Sequence, residues 1–285
     1  MTKMQHENLR GKVAVVTGAG GVLCSGFAKT LAEQGVKVAV LDLRLEAAQS
    51  VADEINAAGG MAIAVACNVL EQESMEAARA EVNAKLGTCD ILLNGAGGNH
   101  PKGTTSKDTL EMDDLKNISD DVKTFFDMEA KGIEFVFNLN FLGTLLPTQA
   151  FAKDMVGKKD ACIINISSMN AYRPLTRIPA YSAAKAAIKN FTEWMSVHFA
   201  DVGLRVNAIA PGFFSTAQNK ALLYNPDGSL SARSEKIISH TPMRRFGTPE
   251  DLSGTLLFLC DSTYSGFITG STINVDGGFL AYSGV

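Results

Sequence analysis

A tyrosine and a lysine four residues apart form the clearest chemical signal in this 285-residue sequence. Tyr181 and Lys185 belong to the segment YSAAK, and in a helix this spacing places both side chains on one face. A free phenol has a pKa of about 10, and an ammonium about 4.5 Å away would favour the phenolate by roughly 3 to 4 kcal/mol. That would bring the pKa of Tyr181 near 7, as a general acid/base requires. The same spacing arises by chance in many helices, so the surrounding residues decide its meaning.

A serine lies shortly before this pair. The apolar run IINISS ends at Ser168, thirteen residues before Tyr181. Its hydroxyl could donate a hydrogen bond to a carbonyl oxygen at the end of a strand. A serine at this place is more often an ordinary strand or turn residue, and it gains meaning only from its neighbours.

A glycine-rich turn follows the first apolar run and precedes a predicted helix. Gly18, Gly20 and Gly21 would let the backbone approach a pyrophosphate, and free N–H groups at the start of the helix would stabilise its charge. Many strand–helix turns contain glycine, so the turn alone is weak support. Its order of strand, turn, helix and second strand strengthens the prediction of a dinucleotide site.

The second apolar run ends in a carboxylate, 24 residues after Gly18. Asp42 can accept hydrogen bonds from both ribose hydroxyls of NAD while repelling a 2′-phosphate, or it can be a solvated strand-end residue. Arg44 could accommodate a 2′-phosphate, but Asp42 ends the strand and Arg44 begins the next helix. We therefore expect NAD rather than NADP.

Charge and cysteine content exclude several classes of function. The 26 basic and 30 acidic residues give a net charge of -4, which offers no basic face for nucleic acid. The five cysteines are scattered, without the spacing of metal ligands or a disulfide framework. The polar start lacks a signal peptide, and no apolar run is long enough to cross a membrane. We expect a cytoplasmic protein without metal, nucleic-acid or membrane partners.

Short apolar runs alternate with helix-patterned segments along the whole chain. This alternation predicts an α/β fold, in which one doubly wound parallel sheet carries helices on both faces, as a single domain over residues 1–285. The predicted strands span 13–18, 36–42, 61–67, 89–97, 161–168, 204–212 and 271–278. Predicted helices include Gly26 to Gly35, Phe135 to Met155, Ala183 to Phe199 and a segment after Pro249.

Two polar segments interrupt the alternation. Residues 98–130 form an insert, and residues 213–247 follow Pro211-Gly212. Both follow strands at their carboxyl ends, where open α/β sheets bind ligands. Loops of this length are usually functional or disordered, and we predict a substrate lid at 213–247.

The combined pattern resembles the short-chain dehydrogenase/reductase family over essentially the whole chain. The matching pieces are Thr17-Gly18-Ala19, Asp42, Asn94-Gly95-Ala96-Gly97, Asn140, Ser168, Tyr181 with Lys185, Asn207 to Gly212 followed by Thr216, and Val275-Asp276-Gly277-Gly278. Two departures stand out. Val22 and Cys24 replace the later glycines of the usual turn, and Asn68 stands where aspartate is common.

The resemblance implies an NAD(P)-dependent oxidoreductase acting on a CH–OH group, with a catalytic tetrad. Tyr181 would be the acid/base, and Lys185 would bind the nicotinamide ribose and lower the tyrosine pKa. Ser168 would bind the substrate oxygen, and Asn140 would hold a water that links Lys185 to solvent. The positions implied to contact the cofactor are Gly18, Gly20, Gly21, Val22, Leu23, Asp42, Asn68, Val69, Asn94, Ala96, Gly97, Tyr181, Lys185, Pro211, Gly212, Phe214 and Thr216.

The loops GAGGNHPK, NISSMNAYRPLT and AYSGV resemble the sugar-acid branch of the family, the D-mannonate oxidoreductases or fructuronate reductases. This branch implies D-fructuronate and D-mannonate as the substrate pair and a homotetramer as the assembly. His100, Lys102, Asn170 and Arg173 are candidate substrate contacts, although solvated surface charge is the usual fate of Lys and Arg. Alternatives are a gluconate 5-dehydrogenase-like or other polyol enzyme, a ketosteroid enzyme, which the polar insert disfavours, and a nicotinamide-binding regulator without turnover.

Overall fold

Seven strands form one sheet in the computed structural model, which describes residues 6–116, 121–216 and 223–284. Every pair of neighbouring strands is parallel, in the order β3-β2-β1-β4-β5-β6-β7. The strands are β1 (Val13–Thr17), β2 (Lys37–Asp42), β3 (Met61–Ala66), β4 (Ile91–Asn94), β5 (Cys162–Ile166), β6 (Arg205–Pro211) and β7 (Thr272–Val275). The carboxyl ends of all seven therefore meet at one edge of the sheet.

Ten α-helices accompany the sheet in the described parts of the chain. They are α1 (Val22–Glu33), α2 (Leu45–Ala57), α3 (Gln72–Lys85), α4 (Met112–Lys116), α5 (Ala130–Phe137), α6 (Gly143–Met155), α7 (Pro179–His198), α8 (Ala232–Ser239), α9 (Pro249–Cys260) and α10 (Ser262–Ser265). A π-helical segment, Asn138–Leu142, joins α5 to α6.

Two apolar cores hold the helices on opposite faces of the sheet. Phe27 of α1 and Leu256 of α9 pack in the first core, together with residues of α2. Phe151 of α6, Met75 of α3 and Met195 of α7 pack in the second. Burying each such side chain contributes about 1.5–3 kcal/mol, so continuous apolar strands between amphipathic helices stabilise a three-layer arrangement. The predicted fold class is confirmed.

Several helix boundaries differ from the predicted ones. Helix α1 begins at Val22 rather than Gly26, directly after the glycine turn. Helix α7 begins at Pro179 rather than Ala183, because proline suits the first helical position, where its missing N–H costs nothing. Tyr181 therefore lies in the first turn of α7, beside the end of β5.

The two polar segments contain more regular structure than a loop. The insert at 98–130 carries α4, and residues 213–247 carry α8, whose Ile237 packs with Leu223 and Phe246. Residues 117–120 of the insert and 217–222 of the predicted lid lie outside the described residues, as do 1–5 and Val285. None of the described helices has the length and apolar character needed to cross a membrane.

Candidate active site

Three of the predicted catalytic side chains come together where β5 ends and α7 begins. Lys185 and Tyr181 lie one helical turn apart, with the lysine Nζ 5.6 Å from the centre of the tyrosine ring. Nζ also donates a hydrogen bond of 2.8 Å to the carbonyl oxygen of Ile166, the last residue of β5. Ser168 follows two residues later; its Oγ accepts a hydrogen bond of 3.3 Å from the Asn170 N–H, and the hydroxyl lies close enough to the Tyr181 phenol to lower the pKa of that phenol. The spacing of the sequence thus becomes a shared face beside the sheet edge.

The electrostatics of Tyr181 differ from the sequence-based prediction. Burial raises the pKa of the phenol above its ordinary value, and the hydrogen bond with Ser168 opposes this. The side chain is only partly covered, so solvent limits the upward shift. The predicted fall of the Tyr181 pKa toward 7 is therefore wrong for the protein groups alone. The causes of the shift are burial and Ser168, and the neighbouring ammonium does not outweigh the burial.

Lys185 is 5% exposed, and burial lowers the pKa of its ammonium from 10.5 to about 8. The desolvation cost of a buried charge favours the neutral amine, and the carbonyl oxygen of Ile166 compensates only part of that cost. Lys185 therefore exchanges a proton close to physiological pH. The group whose pKa lies close to physiological pH is therefore Lys185 and not, as predicted, Tyr181.

Asn140 lies fully buried in the π-helical segment between α5 and α6. Its Nδ2 donates to the carbonyl oxygens of Val136, at 2.7 Å, and of Gly98, at 2.8 Å. A Cβ added at Gly97 would lie 2.7 Å from Asn140 Oδ1 and 3.1 Å from Lys185 Nζ. Asn140, Lys185 and the loop after β4 therefore converge at one point, which only glycine at position 97 leaves open.

The glycine turn fits tightly against the loop after β4. Gly18 has a φ of +65°, and a Cβ there would lie 2.8 Å from the Cα of Ala96, so both conformation and space require glycine. The Thr17 hydroxyl oxygen accepts hydrogen bonds from the N–H groups of Gly95 and Ala96, at 3.0 and 3.2 Å. Thr17 thus joins the first βα turn to the loop that carries Ala96 and Gly97.

Asp42 projects from the end of β2 toward the same turn. Its carboxylate accepts hydrogen bonds from the N–H of Gly20, at 3.0 Å, and from that of Arg44, at 3.1 Å. The Arg44 side chain lies 3.9 Å from Asp42 and is largely exposed. Asp42 and Arg44, the two candidates for contact with the ribose or its 2′-phosphate, therefore lie together, and the carboxylate is the closer of the two to the glycine turn.

Cys24 explains why the usual glycine pattern can be broken here. Its buried Sγ occupies the space that a Cβ at Gly95 would need. Burial also raises the pKa of the Cys24 thiol to about 12, so the thiol is neutral and acts in packing. Glycine on the facing loop, at position 95, accommodates the thiol, and the close approach of α1 to that loop is kept.

These residues fit a dinucleotide. Gly21 is the N-cap of α1 and has no side chain to satisfy the first N–H groups of the helix, those of Val22 and Leu23. Such N–H groups favour a phosphate, and Gly18 and Gly20 leave no side chain between them and the sheet edge. The carboxylate of Asp42 lies where a ribose would follow.

Asn94 and Asn68 serve the site through other residues. The Nδ2 of Asn94, which is 2% exposed, donates to Thr148 Oγ1 and Asn165 Oδ1 at 2.9 Å each, and so joins β4 to α6 and β5. Asn68 donates to Glu71 Oε1 at 2.8 Å, while Val69 is buried beneath the loop. Asn94 is a positioning residue, and the Asn68 side chain stabilises its own turn.

The segment after β6 forms another side of the predicted cofactor site. The Gly212 N–H donates to the carbonyl oxygen of Val275 at 2.9 Å, and a Cβ at Gly212 would lie 2.7 Å from the Cα of Asp276. Phe214 is buried and pairs with Gly247, which holds the segment from Pro211 to Thr216 against the sheet edge.

The four predicted substrate contacts divide into two pairs. Lys102 Nζ forms an ion pair of 2.8 Å with Glu129, and the ring of His100 accepts a hydrogen bond from the Lys102 N–H. Asn170 is buried, and its Oδ1 has no hydrogen-bond partner among the described residues. Arg173 donates to the main-chain oxygen of Tyr282 at 3.0 Å. Asn170 and Arg173 keep polar groups available to a ligand, whereas the Lys102 charge is already compensated.

Two contributors to the site were not predicted from the sequence. Thr17 was noted only as part of a motif, and the main-chain oxygen of Ile166 leaves no trace in a sequence. Among the described residues, no group of three or more His, Cys, Asp and Glu side chains could hold a metal ion.

A family model described as short chain dehydrogenase matches residues 12–226. The chain belongs to the short-chain dehydrogenase family. The geometry of Ser168, Tyr181 and Lys185 agrees with this assignment, which makes the protein an oxidoreductase that acts on alcohol groups. The resemblance noted from the sequence motifs is confirmed.

Individual members of the family are similar over nearly the whole chain. An uncharacterised oxidoreductase of Haemophilus influenzae is 56% identical, with 98% of this chain and 97% of its own length covered. The 7α-hydroxysteroid dehydrogenase of Escherichia coli is 32% identical, covering 95% and 96%. A crystal structure from Haemophilus influenzae, named provisionally as a D-mannonate oxidoreductase with bound NAD, has a TM-score of 0.93 and 56% identity, covering 98% of both chains.

Lys185→Met should change how stability depends on pH. Between pH 8 and 10.5 the unfolded wild-type chain binds more protons than the folded one, so its unfolding free energy rises with pH in this window. Below pH 8 the charged lysine lowers the unfolding free energy of the wild type by about 3 kcal/mol. The variant avoids this loss, but its Ile166 carbonyl has no partner, which lowers its own unfolding free energy by ~1–3 kcal/mol. We expect the variant to be the more stable protein at pH 7 and to lose this advantage by pH 10.5.

Urea unfolding at constant protein concentration and several pH values measures the difference. Lys189→Met is the matched control, because Lys189 is paired with Glu193, which raises its pKa instead of lowering it. Parallel pH profiles for wild type and Lys185→Met would contradict the account of the buried ammonium.

Proposed function

We propose that this protein is an NAD-dependent sugar-acid oxidoreductase that interconverts D-mannonate and D-fructuronate. The balanced reaction is D-mannonate plus NAD⁺ to D-fructuronate, NADH and a proton. The observation that carries the proposal is the convergence of Ser168, Tyr181 and Lys185 beside a glycine turn suited to a dinucleotide. Support for the substrate comes from the provisional name of the similar crystal structure.

In the oxidative direction, deprotonated Tyr181 removes the proton of the substrate hydroxyl, and Ser168 holds the same oxygen by a hydrogen bond. In reduction, the phenol donates that proton to the forming alkoxide. Bound at this edge, NAD supplies the acceptor or donor of the hydride. The raised pKa of Tyr181 in the protein alone means that the phenol is the resting form, which suits its role as a proton donor in reduction.

Proton exchange with solvent would pass through Lys185. With a pKa of about 8, its ammonium can return a proton to Tyr181 or give one up at modest cost. Asn140 lies beside it and would hold the water that continues the path. The main-chain oxygen of Asn140 already accepts a hydrogen bond of 2.9 Å from Thr144, and a carbonyl oxygen can accept a second.

The preference for NAD over NADP rests on Asp42. Its carboxylate lies against Gly20 and would repel a 2′-phosphate at the ribose end of the site. Arg44 is close, but its guanidinium is turned to solvent, where its attraction for a phosphate is screened. The crystal structure with bound NAD is consistent with this choice.

A homotetramer is the proposed assembly, and two exposed apolar regions support it. On α7, Trp194 is 56% exposed and Val197 78% exposed, and Trp194 stacks with His198 at a ring separation of 4.7 Å. Phe267, between α10 and β7, is fully exposed. Two separate apolar regions provide the two kinds of contact that a symmetric tetramer needs. Five buried free cysteines suit the proposed cytoplasmic setting.

The function is tested by reducing a panel of ketones with NADH. We expect D-fructuronate to be reduced with higher kcat/KM than 5-keto-D-gluconate or a 7-oxo bile acid. Tyr181→Phe should lower kcat by about two to four orders of magnitude, because it removes the acid/base group. NADH affinity, measured by fluorescence, should stay within threefold of wild type.

Tyr172→Phe is the control for this substitution, since Tyr172 is an exposed phenol close to the site. Near-wild-type turnover by Tyr181→Phe would refute the mechanism. Efficient reduction of ketogluconate without reduction of fructuronate would replace the proposed substrate and leave the mechanism standing.

Asp42→Ala should relax the discrimination against NADPH by at least tenfold, because it removes the charge that repels the 2′-phosphate. The ratio of kcat/KM for NADH and NADPH measures this effect. Asp53→Ala removes an exposed carboxylate from the neighbouring helix α2 and is the control. A wild-type protein that already prefers NADPH would show that the role given to Asp42 is wrong.

Trp194→Glu should reduce the assembly to a smaller unit, because a charge in an apolar contact is costly to bury. Size-exclusion chromatography with light scattering gives the mass. Phe125→Glu places a charge at another exposed aromatic residue, on the insert, and should leave the mass unchanged. If Trp194→Glu has the wild-type mass, the α7 face is not part of the interface.

A further inference from the structure

A cavity of about 590 Å³ lies between the loop after β5, helix α8 and the C-terminal segment. Arg173 and Arg177 come from the loop, Arg233 and Lys236 from α8, and Phe279 from the C-terminal segment. The volume falls within the range of about 300–1,000 Å³ that is typical of small-molecule sites. The loop that forms one wall of the cavity lies between Ser168 and Tyr181 in the sequence. It therefore connects the cavity to the proposed catalytic centre.

The cavity is strongly basic in a protein that is acidic overall. Four cationic side chains line it, against the single carboxylate of Asp108, whereas the whole chain carries a net charge of -4. Asp108 pairs with Arg177 at 2.7 Å and with Lys236 at 2.9 Å, and these contacts hold its pKa far below the ordinary value. Two of the four cations are therefore already compensated.

The other two cations have no carboxylate partner among the described residues. Arg173 uses one N–H on the main-chain oxygen of Tyr282, which leaves its charge uncompensated. Arg233 lies in the first turn of α8, exposed to the cavity. Asp108 meanwhile connects the insert to α8 and the loop, so the cavity walls are held together without neutralising these two guanidinium groups.

We propose that this cavity is a carboxylate-binding subsite, in which Arg173 and Arg233 recognise the acid group of the substrate. Guanidinium groups match a carboxylate with paired N–H donors, and a partly closed site strengthens the attraction. Phe213, which follows Gly212 directly, and Phe279 form an edge-to-face pair at 5.4 Å beside the cations. This pair gives the carbon skeleton of the substrate an apolar surface between the acid group and the reacting carbon.

The inference deepens the proposed function and rests on it for the identity of the substrate. It assigns Arg233 a role in specificity that the sequence motifs did not suggest, and it places the acid group of the substrate at Arg173 and Arg233 rather than at Lys102. Lys102 is compensated by Glu129, whereas Arg173 and Arg233 are not compensated.

Arg173→Gln and Arg233→Gln test the subsite, with Arg10→Gln as the control for loss of one exposed positive charge near the N-terminus. We expect the KM for D-mannonate to rise at least tenfold in each cavity variant while kcat changes less than threefold. With D-mannonamide, in which a neutral amide replaces the acid group, each cavity variant should have a KM close to that of the wild type with the same amide. Unchanged KM values for D-mannonate in both cavity variants would overturn the proposal.

Calorimetric titration of D-mannonate into the protein with NAD separates this inference from the proposed function. Weaker binding in Arg233→Gln supports the subsite even if another sugar acid is the better substrate. Wild-type affinity in both cavity variants, together with normal D-fructuronate reduction, overturns the subsite and leaves the proposed function intact.

Discussion

Lys185 keeps an amino group inside the protein, held by one carbonyl oxygen at the end of β5. The buried ammonium is costly, yet its position links three parts of the molecule: the end of β5, the first turns of α7 and the loop after β4. Gly97 must lack a side chain because Lys185 and Asn140 occupy the space there. A hydrophobic residue at 185 would give a more stable interior but would leave Tyr181 without a neighbour that can exchange protons. Stability is given up at the place where chemistry needs it.

The sheet and its helices were largely predictable, because apolar runs such as VAVVT and ACIINI have few alternatives to a buried parallel strand. The proposed catalytic pair was identified from the spacing of Tyr181 and Lys185 together with the surrounding motifs. Their electrostatics did not follow, because burial and the 5.6 Å separation are properties of the tertiary structure. The start of α1 at Val22 was missed since a turn of glycines gives little indication of where the helix begins. The basic cavity was not predicted, because sequence spacing cannot show that α8 faces the loop before Tyr181.

The distribution of charge contrasts with the overall composition. The whole chain has a net negative charge, whereas four cationic side chains are concentrated around one cavity. Asp108 makes this concentration tolerable, since it pairs with two of them and joins segments that are distant in the sequence. The same carboxylate therefore limits repulsion among the cations and fixes the distance between two walls.

The interlocking of Cys24 with Gly95 has an evolutionary consequence. Glycine at 24 would leave a hole between α1 and the sheet, whereas any side chain at 95 would collide with the thiol. Removing the thiol would not admit a side chain at 95, because its Cβ would still lie 2.9 Å from the main-chain oxygen of Thr17. Relatives are therefore expected to keep glycine at 95 while the residue at 24 varies in size, so a motif that requires glycine at 24 undervalues proteins of this kind.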